Sequence, residues 1–166
     1  GIVHWNPHQP NGGLADEELA QATVVVWKGY CHVHTYFTPE MIALQRKKYE
    51  GCKVVVHPEC KPEVVDAADG DGSTAFIVQA VKDAAPGDTV VIGTEVNLVS
   101  RLAHEFSPHL NVVPLTHSVC PNMYRTTVAK LRHVLETFDP YLEIRIPEDT
   151  ARDARLALER MLELPR

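Results

Sequence analysis

The residues of this chain with the widest chemistry fall in a few short runs. They are Cys31-His32-Val33-His34, His57-Pro58-Glu59-Cys60, Gly72-Ser73-Thr74, Thr94-Glu95 and Cys120-Pro121-Asn122-Met123. Thiolate and imidazole are metal ligands, a carboxylate beside an imidazole can move protons, and hydroxyls at a helix start can receive an anion. Cys31 and Cys120 lie 89 residues apart, and neither has a second cysteine within four positions. That excludes the paired Cys-x2-Cys knuckle of structural zinc sites and leaves a long-range site or inert core thiols. Four cysteines could also make two disulfides, but the chain is neither small nor loop-dominated, so reduced thiols are the reading.

Composition narrows the partners. The net charge is -6 with histidine neutral, and no basic run exceeds Arg46-Lys47-Lys48. Neither nucleic acid nor an anionic membrane is expected to bind, and a small-molecule substrate is. Apolar stretches fall short of a membrane span, and residues 1–10 lack the apolar core of a signal peptide, so the reading is cytoplasmic. The chain opens with Gly1 rather than Met and runs straight into Ile2-Val3. It is therefore read as a fragment of a longer protein.

Alternating elements must position these groups. Residues 22–27 form a β-branched run of the kind buried on both faces of a parallel sheet, with Trp27 as core at its end. Thr38 as N-cap and Pro39 at the first helical position predict a helix that Gly51 stops. Strands follow at 53–57, 89–92 and 111–115, with helices at Pro62–Ala67, 73–84 and 95–105 between and after them. Residues 126–138 predict a helix with Val128, Leu131, Val134 and Leu135 on one face, 143–146 a last short strand, and 147–164 a terminal helix. The strand-helix order predicts an α/β fold of small three-layer αβα units with parallel sheets. Residues 1–20 read as an irregular lead-in, 21–86 and 87–166 as two α/β units meeting at the Pro86-Gly87-Asp88 turn. The chemically active runs then sit on loops after strand C-terminal ends, where open sheets bind ligands.

Five motifs in order, from Trp27-Lys28-Gly29-Tyr30-Cys31-His32-Val33-His34 through His57-Pro58-Glu59-Cys60, Gly72-Ser73-Thr74 and Gly93-Thr94-Glu95 to Cys120-Pro121-Asn122-Met123, resemble the quinolinate synthase family. The resemblance covers about residues 24–161 and leaves 1–18 outside it. It implies a pseudo-threefold arrangement of three α/β domains, with 21–86 in the second and 87–166 the third. Each domain gives one cysteine to a 4Fe-4S cluster. Cys31 and Cys120 match the second and third cluster ligands, and the first is expected upstream. The implied reaction joins iminoaspartate to dihydroxyacetone phosphate, loses phosphate and water, and yields quinolinate for NAD biosynthesis. L-aspartate oxidase or aspartate dehydrogenase is the implied source of iminoaspartate.

Carried over residue by residue, the resemblance makes His57 a donor to a substrate carboxylate and Glu59 the proton shuttle, both catalytic. Ser73 and Thr74 become an anion site, Met123 a packing residue near the substrate, and His34 a donor to cluster or substrate. On residue type alone His57 and Glu59 are a strand-end histidine and a solvated acid, Ser73 a plain N-cap, and Met123 core filler. With the family's ligand positions filled, Cys60 reads as a core thiol or one supporting the ligands from behind; Cys52 is expected at the opposite end of the sheet, His32 is expected to point away from His34, and His104 and His133 are expected on the surface. Two rivals stand beside this reading. One is a non-catalytic zinc module built from Cys31, His34, His57 and Cys60; the other is a degenerate structural relative without activity. A fragment is also expected to expose an apolar face.

Overall fold

The structure is a computed structural model that describes residues 1–164. The chain divides into two compact units, one ending at Cys120 and the other beginning at Pro121.

The first unit opens on a strand. β1 (Ile2–Trp5) pairs in parallel with β2 (Val24–Trp27), Ile2 opposite Val24 and Trp5 opposite Trp27. Between them lie a 3-10 turn at Pro10–Gly13 and helix α1 (Asp16–Gln21). The expected irregular lead-in therefore contains regular structure. Asp16, Glu17 and Glu18 favour the positive end of α1, and Glu18 accepts from Ala15 N–H at 2.9 Å. Gly12, at φ +67, lies against the Trp5 ring, where any Cβ would overlap the indole. The strand at Val24–Trp27 forms as expected, but it is not buried on both faces. Val24, Val25 and Val26 are exposed, and Trp27 is 63% exposed rather than core. β-Branched composition reports a preference for extended backbone; what covers the strand is a separate matter.

The main sheet has order β4-β3-β5-β6 and is parallel throughout. Its strands are β3 (Lys53–Val56), β4 (Gly70–Asp71), β5 (Thr89–Gly93) and β6 (Asn111–Pro114). Four helices accompany it: α3 (Pro39–Lys48), α4 (Pro62–Ala67), α5 (Thr74–Lys82) and α6 (Val96–Phe106). The period of two along each strand sorts the core into layers. Val55, Val90 and Ile92 pack with Ile77, Val81 and Leu102 from α5 and α6. Val54, Val56 and Val91 pack instead with Phe37, Ile42 and Val64. Helices on both faces of a parallel sheet make the expected αβα arrangement.

Local chemistry sets the helix ends. Thr38 and Pro39 open α3, and Gly51 at φ +72 turns the chain into β3. Ser73 Oγ accepts from Phe76 N–H at 3.3 Å and caps α5. The turn at Pro86-Gly87-Asp88, read above as a boundary, lies inside one sheet. β3 and β5 pair directly across it, Lys53 opposite Val90, and Gly87 N–H donates to His109 O at 2.8 Å. The proline-glycine signal marks a change of direction, which a helix-to-strand turn needs as much as a domain boundary does.

In the second unit, α7 (Val128–Thr137) is capped by Thr127 Oγ1, which accepts from Lys130 N–H at 3.2 Å. α8 (Glu148–Glu163) completes it. Residues 143–146 form no strand. They follow a 3-10 turn at Pro140–Leu142, and Arg145 Nη2 donates to Glu143 Oε2 at 2.9 Å. Alternation alone does not make a strand without a neighbouring backbone to pair with. Val128, Leu131 and Leu135 on α7 and Leu158, Met161 and Leu162 on α8 are exposed. Among the described residues no helix is long and apolar enough to cross a membrane.

Candidate active site at the strand ends

Because the four strands run parallel, their C-terminal ends deliver His57, Ser73, Thr94 and the 116–118 segment to one end of the sheet. Short α2 (His32–Thr35) brings a second set of groups to the same place. Cys31 stands at its N-cap, and Thr35 Oγ1 donates back to Cys31 O at 3.1 Å.

His34 is the hub. It is buried, with Nδ1 2.9 Å from Glu59 Oε2 and Nε2 3.0 Å from Thr94 Oγ1. A carboxylate only accepts, so Nδ1 carries the proton and Nε2 of the neutral ring accepts from the Thr94 hydroxyl. Burial pushes the His34 pKa down, the adjacent His57 adds to this, and Glu59 opposes it. Both ring nitrogens are thus engaged. The structure therefore leaves His34 no free nitrogen for the direct donation to cluster or substrate that was expected of it.

His57 stacks on His34 with ring centroids 4.2 Å apart and planes 9° apart. Its Nδ1 accepts from Glu59 N–H at 3.2 Å, which puts the proton of the neutral ring on Nε2 and leaves that N–H as a donor. Glu59 Oε2 lies 3.7 Å from His57 Nδ1, and the Glu59 side chain is 58% exposed. The carboxylate is therefore held from behind by His34 and open in front. That arrangement can take or give a proton at Glu59 and hydrogen-bond an anionic oxygen through His57 Nε2–H.

The cysteines separate into two kinds. Cys31 and Cys120 are partly exposed, whereas Cys52 and Cys60 are buried. Cys60 Sγ lies 3.9 Å from Gly93 O, and burial pushes its thiol up to about 11, so it stays protonated as a core residue. Cys52 precedes β3, at the end of the sheet away from His57, with Sγ 3.9 Å from Gln45 O. Potential ligand atoms of Cys31, His34 and Glu59 lie within 4.8 Å of one another. This differs from the zinc set of Cys31, His34, His57 and Cys60, since Glu59 takes the place of His57 and Cys60. A metal using His34 would also have to displace one of its two hydrogen bonds.

Other expected residues fall as follows. Ser73 and Thr74 are exposed beside the end of β3, since Gly72 N–H donates to Val56 O at 3.2 Å. His32 is exposed while His34 is buried, and His104 and His133 are on the surface. Met123 opens a 3-10 turn in the second unit and is exposed. Cys120 follows Ser118 by two residues, and Ser118 Oγ donates to Val33 O at 2.9 Å. The loop carrying Cys120 is thereby tied to the helix that Cys31 begins. Thr94 and Ser118 had no assigned role from sequence. The signal for Thr94 was its place directly after β5, whereas Ser118 carried none.

The model of the family described as quinolinate synthetase A protein matches residues 2–163. The chain belongs to that family. The quinolinate synthetase match begins at residue 2, so it takes in the 1–18 stretch that the motif resemblance left out. Curated relatives agree. A quinolinate synthase of Corynebacterium glutamicum is 45% identical over 95% of this chain and 41% of its own length. One of Streptomyces coelicolor is 42% identical over 98% of this chain and 43% of its own, and one of Halobacterium salinarum 45% identical over 98% and 44%. The chain spans less than half the length of these quinolinate synthases.

Proposed function

We propose that this chain carries part of the active site of a quinolinate synthase, which condenses iminoaspartate with dihydroxyacetone phosphate, with loss of phosphate and water, in NAD biosynthesis. The observation that carries this reading is Glu59, gripped from behind by buried His34, open to solvent in front and beside the Cys31 thiol. Glu59 moves protons during the dehydrations and ring closure, and His57 Nε2–H binds a substrate carboxylate. The Ser73 oxygen caps α5, so its hydroxyl proton remains free, with Thr74 beside it, for a second carboxylate or the phosphate.

The donor set fits a 4Fe-4S cluster as far as it goes. Two partly exposed cysteines, Cys31 and Cys120, begin and follow segments joined by the Ser118 bond to Val33, while the two buried cysteines are turned into the core. A family cluster takes three thiolates, and the remaining one is not Cys52 or Cys60. When bound, such a cluster supplies a Lewis-acidic iron with an open position. L-aspartate oxidase or aspartate dehydrogenase would deliver the unstable iminoaspartate, in the cytoplasm.

The test uses the whole protein purified without oxygen, with quinolinate formation as readout. Glu59→Gln keeps the shape of the side chain and removes its basicity. The iron-sulfur absorption is expected to survive while turnover falls about a hundredfold to ten-thousandfold. Cys120→Ala removes a ligand, and the absorption and the activity are expected to go together. Turnover near the parent rate in Glu59→Gln would overturn the catalytic role of that residue.

A further inference from the structure

Thr94 Oγ1, the His34 ring and the Glu59 carboxylate stand in a row, 3.0 Å and 2.9 Å apart. That order of hydroxyl, imidazole and carboxylate is the one that activates a serine or threonine nucleophile. Burial runs the opposite way here. A nucleophile has to meet substrate and its orienting acid sits behind the imidazole, but Thr94 is 5% exposed and the Glu59 side chain 58%. The hydroxyl is at the back, and the carboxylate faces outward.

We propose that Thr94 is a positioning residue: its hydroxyl donates to His34 Nε2, fixes the ring, and so holds Nδ1–H on Glu59 Oε2 in one orientation. An imidazole has two roughly equivalent settings about its terminal torsion, and turning it over replaces nitrogen by carbon at both contacts. Stacking on His57 restrains tilt but does not choose between those settings. The Thr94 bond does choose. Its own position is firm, because it directly follows β5 between two paired strands, where His57 N–H donates to Gly93 O at 3.1 Å and Leu115 N–H to Ile92 O at 2.8 Å. A buried group with its hydrogen bonds made is the kind of support a precisely aimed carboxylate requires. The inference rests on the reading of Glu59 as the proton-transfer group.

Two substitutions separate a hydroxyl role from packing. Thr94→Val keeps the shape and loses the hydroxyl, whereas Thr94→Ser keeps the hydroxyl and loses a methyl. The readout is the solvent exchange rate of the His34 Nδ1–H, followed by NMR on the 15N-histidine-labelled chain. Exchange is expected to quicken roughly three- to tenfold in Thr94→Val, the equivalent of one neutral hydrogen bond, and to stay near the parent value in Thr94→Ser. Parent-like exchange in the valine variant, or fast exchange in the serine variant, would overturn the proposal. The serine arm decides it if the valine variant does not fold. Unimpaired turnover of Glu59→Gln would sink the reading of Glu59 alone, because the exchange rates judge Thr94 either way.

Discussion

The rings of His34 and His57 lie face to face, 4.2 Å between centroids and 9° from parallel, although one belongs to a short helix after β2 and the other to the end of β3. The pair divides its work by hydrogen bonding. His34 has spent both nitrogens on Glu59 and Thr94, and His57 has spent only Nδ1. One ring is therefore a support and the other keeps a donor for a ligand.

Thiol reactivity checks the division of the cysteines. Cys31 and Cys120 are expected to be alkylated by iodoacetamide well before Cys52 and Cys60 in the folded chain. Burial raises both of the latter, Cys60 to about 11, which leaves roughly one thiolate in a thousand at pH 8. Mass spectrometry of timed samples reads the order. Early labelling of Cys60 would contradict its place under Gly93.

Acid stability should depend on Asp69. Burial works against its charge, but Arg46 Nη2 at 2.9 Å and Val54 N–H at 2.7 Å outweigh it and hold the carboxyl below the usual range. The folded chain then binds that proton less readily than the unfolded chain does. The contribution is fully present above the unfolded pKa of about 3.9 and is lost as pH falls through the lower folded value. Both side chains are partly exposed, so the effect is screened and shrinks with salt. Urea midpoints at pH 7 and pH 3 are expected to drop further for the parent than for Asp69→Asn. Equal drops would remove the ion pair from the account.

Gly93→Ala probes the packing beneath the site. A Cβ there would lie 2.8 Å from Val56 Cγ1 and 3.3 Å from Leu115 Cδ2, in a strand paired on both sides. The expected loss is about 1–3 kcal/mol of stability. Adding Val56→Ala removes one clashing methyl, so the double variant should be less destabilised than the two single losses added together. Thermal melts of the three variants measure this, and simple additivity would mean that the alanine is accommodated elsewhere.

Much of the molecule was legible before any fold was known. Pro39, Gly51, Ser73 and the Val-rich runs placed α3, α5, β3, β5 and β6 within a residue or two, because caps, turns and strand preference act locally. The αβα class followed from the order of those elements. Glu143–Ile146 was misread for the same reason, since its alternation has no partner strand to complete it. The burial of Val24–Trp27 was misread because composition cannot report what lies above a strand.

For the site, the sequence determined which residue types follow each strand, and the ordered motifs around Cys31, His57, Ser73, Thr94 and Cys120 determined the family. Tertiary structure alone decided how those groups divide their hydrogen bonds. That His34 faces Glu59 and Thr94 rather than a ligand depends on contacts spanning 25 and 60 residues. Burial of Cys60 but not Cys31, and the tie from Ser118 to Val33, likewise come from packing between segments far apart in the chain. Local sequence sets conformation within a turn or a strand; which side chains meet, and which of them water still reaches, is set only when the sheet brings its strand ends together.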